Sequence, residues 1–186
     1  MGQYYRPTNI DKKKALSSHD YDNGAKLMEH SYIGNPFVRA VEGLLIEGGE
    51  WFKDRIVWSG DYADDEPESE WKNKTDEYPE KNLYAIYHGE ENTIKPEAKE
   101  LPTAYRYLVN FTDKEYVDLS KIKDIKGEKG WKIHPLPLLT CEGNGRGGGD
   151  FHGEDYRIGT WARKNIGIVV EKPVDYEEID GTFQEE

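Results

Sequence analysis

Gly143-Asn-Gly-Arg-Gly-Gly-Gly149 places five glycines in seven residues, directly before Asp150 and His152. Ordering such a loop removes much backbone entropy. Close approach of backbone N–H groups to an anion would justify it, with Arg146 adding a charge-assisted contact. Gly143-x-Gly145-x-x-Gly148 has the dinucleotide-binding spacing. However, Asp150-Phe-His-Gly153 does not continue as a helix and no Gly-Lys-Ser/Thr follows, so the context of a nucleotide loop is missing. A flexible or tightly folded surface loop is the plainer account. Gly143, Gly145, Arg146, Gly148, Asp150 and His152 are therefore the ligand-binding candidates of one reading, a small nucleotide- or metal-using enzyme or sensor. In that reading His134, Asp150 and His152 supply acid–base or metal-binding groups.

Other titratable residues gather beside turns. His19, Asp20, Asp22 and His30 surround one expected turn, and His134, Asp150, His152 and Asp155 surround the glycine loop. Their spacings match no zinc signature, and hydrogen-bonded turn histidines explain them more simply. No metal, cofactor or catalytic residue is assigned. The single cysteine, Cys141, excludes an internal disulfide and reads as a buried structural thiol.

The acidic residues are the stronger signal. The chain's formal charge is −12, and Ser59–Glu80 alone carries −7 while 171–186 carries −6, leaving a nearly neutral body. Asp61, Tyr62, Asp64, Asp65, Glu66, Glu68, Glu70 and Trp71 are the partner-binding candidates, with rings as anchors and carboxylates steering approach. Simple solvation of a loop and a tail is the bland alternative. DNA presents about one charge per 1.7 Å of helix axis, and a run of carboxylates on a folded loop can occupy a basic cleft built to receive it. The expected partner is a protein with such a cleft. Direct nucleic-acid binding is disfavoured, because only Lys121, Lys123, Lys126, Lys129 and Lys132 form a basic cluster.

The elements that must position these groups read as α+β, a mainly antiparallel sheet with one principal amphipathic helix over about residues 36–47. Asn35 caps that helix, Pro36 suits its first position, and Phe37, Val38, Val41, Leu44 and Leu45 form its apolar stripe before Gly48-Gly49. Arg55–Ser59, Leu83–Tyr87, Tyr105–Asn110, Glu115–Leu119 and Asn165–Glu171 read as strands. Phe111–Lys114 is an expected hairpin loop. Asp20–Gly24 is a second, between strands Lys14–His19 and Ala25–Ser31. Residues 1–170 are expected to form one globular domain, and 171–186 a flexible acidic tail. No apolar run approaches the ~20 residues needed to span a bilayer, and the N-terminus lacks a signal peptide, so a cytoplasmic location is expected.

Met1-Gly2-Gln3-Tyr4-Tyr5, Ser18-His19-Asp20-Tyr21, Leu27-Met28-Glu29-His30-Ser31, Trp58-Ser59-Gly60-Asp61-Tyr62-Ala63-Asp64 and Gly143–Asp150 together carry a resemblance. The chain resembles a group of small proteins of Gram-positive bacteria and their phages or mobile elements. The resemblance spans most of the chain and brings no catalytic residues with it. Small acidic proteins of such sources include anti-CRISPR inhibitors of Cas-type nucleases. By class analogy it implies a host-directed inhibitor of that kind in preference to an enzyme, and the acidic stretches add the reading of a DNA mimic.

Overall fold

The computed structural model describes residues 2–144 and 148–185. From the N-terminus come β1 (Tyr5–Asn9), β2 (Lys14–Ala15), α1 (Leu27–His30), α2 (Pro36–Leu45) and β3 (Arg55–Gly60). Then follow α3 (Leu83–Ile86), β4 (Tyr107–Asn110), β5 (Glu115–Asp118), α4 (Pro135–Thr140), β6 (Cys141–Glu142), β7 (Lys164–Val169) and β8 (Glu177–Glu178). The strands form one sheet in the order β2-β1-β3-β7-β4-β5-β8, with β6 also paired to β3. Every neighbouring pair is antiparallel except β3 with β6 and β5 with β8. The fold is α+β, as the sequence implies.

Strand alternation sorts the side chains to two faces. Ile56 and Trp58 of β3, Leu108 of β4, and Ile166 and Ile168 of β7 join α2 and α4 in the main core. On the opposite face, Val57 packs with Ala15, Leu83, Ile86 and Tyr87, while Val109, Tyr116 and Val169 pack under Phe52 and Phe111. Both faces are therefore covered. Gly167 lies on the second face, where a Cβ would stand 2.7 Å from Phe52 and 2.8 Å from Phe111. The missing side chain lets those two rings meet edge to face at 5.7 Å.

The principal helix forms for the expected reasons. Asn35 Oδ1 accepts from Phe37 N–H at 2.8 Å, Pro36 occupies the first turn, and Phe37, Val38, Ala40, Val41, Leu44 and Leu45 are buried. Each large member of that stripe contributes about 1.5–3 kcal/mol of burial. The β4–β5 hairpin also forms as expected, pairing Asn110 with Glu115 across Phe111–Lys114. Asn110 Oδ1 closes the loop by accepting from Thr112 and Asp113 N–H, both at 3.0 Å.

Three expectations are corrected. Leu83–Tyr87 is not a strand: Asn82 Oδ1 caps Ala85 N–H at 3.0 Å and starts α3. An apolar run this short has no period to separate helix from strand. The Asp20–Gly24 hairpin does not form either. Lys14–Ala15 pairs with β1, Ser18–Tyr21 is a 3-10 turn ended by left-handed Asp22 (φ 56°), and Leu27–His30 is helical. The turn residues there end a helical turn and leave no strand pair behind them. Finally, residues 171–185 pack on the body. β8 runs beside β5, Phe183 is 1 % exposed, and Phe183 meets Phe151 edge to face at 6.0 Å beneath the Arg157 guanidinium. Ile179, Gly181 and Phe183 supply the apolar contacts that a count of carboxylates hides.

Candidate functional site

β3 ends at Gly60 and α3 begins at Leu83, so the acidic loop bridges these two elements. Its base is tied at several points. Asp61 Oδ1 accepts from Tyr4 N–H at 2.9 Å, and Asn82 Nδ2 donates to the Asp61 carbonyl at 3.0 Å. Glu66 N–H donates to the Lys81 carbonyl at 2.8 Å, and Lys72 and Glu80 exchange both backbone hydrogen bonds at 3.1 Å. The tip turns at left-handed Asn73 (φ 51°), whose carbonyl accepts from Asp76 N–H at 2.9 Å.

Side chains brace the same loop from inside. Arg163 grips Glu66 through Nη1–Oε1 at 2.8 Å and Nη2–Oε2 at 2.9 Å. The same guanidinium holds Glu142 at 2.6 and 2.8 Å. Glu142 and Glu66 together raise the arginine's pKa well above its ordinary value. Trp71 is half-buried, donates Nε1–H to the Glu66 carbonyl at 2.6 Å, and carries the Lys81 ammonium 4.7 Å from its ring centroid. Lys72 turns to Glu91 at 3.2 Å.

Asp64, Asp65, Glu68, Glu70, Asp76 and Glu77 are exposed, and none forms an ion pair among the described residues. Tyr62 and Tyr78 stand out beside them, 48 % and 83 % exposed. The eight partner-binding candidates thus divide by role. Asp61, Glu66 and Trp71 build the loop, whereas Tyr62, Asp64, Asp65, Glu68 and Glu70 face solvent. Of the two rings expected as anchors, Tyr62 is exposed and Trp71 is half-buried. Sequence reasoning missed Arg163 and Tyr78. Tyr78 lies in the same acidic run and was legible there; the pairing of Arg163 with Glu66 spans 97 positions and had no local signal.

The glycine loop has a different explanation in the residues that the structure describes; Gly145 and Arg146 lie outside them. A Cβ at Gly143 would stand 2.2 Å from Gln3 Oε1 and 2.6 Å from the Tyr5 hydroxyl. One at Gly149 (φ +60°) would meet the Tyr5 ring at 2.7 Å. These glycines admit the N-terminal strand. Gly148 has no such constraint, its Cβ position being 3.7 Å from Ile158. Asp150 Oδ1 accepts from Met28 N–H at 2.9 Å. His134 caps α4, taking Leu136 N–H on Nδ1 at 3.1 Å and facing Glu42 from Nε2 at 2.7 Å, while His152 is exposed. His134 and Asp150 are thus engaged in structural contacts, and His152 faces solvent.

The remaining titratable candidates also separate. His19 and Asp20 are exposed whereas His30 is buried. Cys141 is 1 % exposed, donates to the Leu138 carbonyl at 3.2 Å, and burial pushes its thiol up to about 12. Among the described residues no group of three or more His, Cys, Asp or Glu is placed to hold a metal ion. No helix there is long and apolar enough to cross a membrane.

The chain matches no protein-family model, no curated protein and no solved structure.

Proposed function

We propose that this is a binding protein whose 61–80 loop is offered to a partner protein with a basic, nucleic-acid-binding cleft. One observation carries the reading: six exposed, unpaired carboxylates and two exposed tyrosines stand on a loop tied down at its base. Lys72 and Lys81 are engaged with Glu91 and Trp71, while Lys74 is exposed within the same loop. An ordered loop loses less entropy on docking than a flexible one. Its field speeds encounter with a basic surface, and exposed rings supply contact area once the cleft is reached.

The resemblance to small proteins of Gram-positive bacteria and their phages or mobile elements supports a finer reading. In it the protein is an anti-CRISPR inhibitor, a DNA mimic that fills the cleft of a Cas-type nuclease in the host cytoplasm. The test combines Asp64→Lys, Asp65→Lys, Glu68→Lys and Glu70→Lys and measures binding to a Cas9-type nuclease, together with DNA cleavage, at low and high salt. The wild-type protein should bind and inhibit, with Kd rising with salt, and the variant should do neither. An unchanged Kd and salt slope in the variant would overturn the role of the loop. Absence of wild-type binding would overturn the nuclease target.

A further inference from the structure

Arg6 lies in β1 on the second face of the sheet, beside α3, and is 4 % exposed. Its Nη1 donates to the Tyr87 carbonyl at 2.9 Å, and the guanidinium carbon sits 5.0 Å from the Tyr84 ring centroid. Nε has no hydrogen-bond partner among the described residues, and Asp20 is the carboxylate whose charge acts on the group, without an ion pair among those residues. A guanidinium carries five N–H donors and is rarely buried without a counter-ion. Burial depresses its pKa accordingly.

This side chain lines an open surface pocket of about 320 Å³, bordered further by Ser17, Asp20, His88, Glu90 and Thr93. The volume is at the small end of ligand sites. The walls carry two kinds of group. Arg6 brings a guanidinium whose Nη1 is already held by the Tyr87 carbonyl and whose remaining donors suit a carboxylate, and Ser17 and Thr93 bring hydroxyls. Asp20 and Glu90 are exposed at the rim, without hydrogen-bonded cations among the described residues. They would repel a multiply charged anion but would receive an ammonium group. Partial burial and the Arg6 charge lower the pKa of His88 against the opposing charge of Glu80.

We propose that this pocket binds a small amino-carboxylate of the α-amino-acid class, with its carboxylate on Arg6 and its ammonium at Asp20 and Glu90. The pocket is lined by no residue of the acidic loop, and its test does not depend on any protein partner. Thermal melting and calorimetric titration of the full chain would be run with the set of L-amino acids, each beside its N-acetyl and carboxamide derivatives and with inorganic phosphate as control. At least one amino acid should raise Tm saturably, because a ligand bound only by the folded state stabilises it. Its two derivatives and phosphate should not. Asp20→Asn and Glu90→Gln, both at exposed positions, should each weaken binding about tenfold, the typical effect of losing a hydrogen bond to a charged group. Arg6→Lys, which keeps the charge but loses the fork, should weaken it at least as much. If Arg6→Lys fails to fold, the two rim variants decide. A flat amino-acid screen, equal shifts from the derivatives or phosphate, or unchanged binding in both rim variants would overturn the assignment.

Discussion

The indole Nε1–H of Trp58 donates to Nε2 of His30 at 2.9 Å, beneath the main core, while His30 Nδ1 faces the Gly24 carbonyl at 3.1 Å. A ring nitrogen that accepts from an indole carries no proton, so the neutral imidazole is the form that fits. Burial pushes the His30 pKa down to about 4, from an ordinary 6.5, against weaker opposing effects of Gly24 and Glu29.

Between those two values the unfolded chain binds a proton that the folded one refuses. The contribution of His30 to stability is therefore complete above pH 6.5 and is lost as pH falls towards 4. It amounts to about 3 kcal/mol. Urea unfolding followed by tryptophan fluorescence across that range should show the slope. His30→Gln should be less stable at pH 7 and should lack that part of the pH dependence. Equal slopes in the two proteins would contradict this account.

Arg163 ties the acidic loop to the body through Glu66 and Glu142. Arg163→Gln leaves two carboxylates without their fork and should destabilise the protein by about 1–2 kcal/mol, a value tempered by the arginine's partial exposure. Hydrogen exchange should rise locally in 61–80 before the sheet is affected. Uniform exchange across the chain would indicate that the loop is held by its backbone bonds alone.

Phe183 tests whether the C-terminal segment belongs to the fold. Truncating a fully buried phenylalanine costs about 3–5 kcal/mol, so Phe183→Ala should lower the denaturation midpoint strongly. Glu185→Gln, two residues on, should change stability by no more than about 0.5 kcal/mol, as surface substitutions do. Similar midpoints for Phe183→Ala and wild type would mean the segment packs only loosely.

Gly167 has a steric requirement in place of a turn requirement. Its Cβ position lies within 2.8 Å of both Phe52 and Phe111. Gly167→Ala should therefore destabilise by about 1–3 kcal/mol through overpacking, although alanine suits a strand better than glycine does. Adding Phe52→Leu should recover part of the loss, a coupling read from a double-mutant cycle.

The parts legible in the sequence are those whose determinants lie within a few residues of each other. Asn35 and Pro36 start α2, Asn110 and Asp113 close the β4–β5 hairpin, and the carboxylates of 61–80 form one surface because they share one loop. Caps, turns and charge density act at short range, and the chain carries them before it folds. The remainder depended on partners distant in sequence. Arg6-Pro-Thr-Asn reads poorly as a strand, yet pairing with β3 and the carbonyl of Tyr87 hold β1 in place. Pro135-Leu-Pro-Leu-Leu-Thr140 shows no amphipathic period because all six residues are buried. Leu83–Ile86 became a helix because Asn82 capped it, and Gly143 and Gly149 are required by the close approach of Gln3 and Tyr5. Sequence by itself thus determined the α+β class and the location of the charge. Only the tertiary structure decided which carboxylates brace the loop and which face solvent, because that division rests on an arginine 97 positions away.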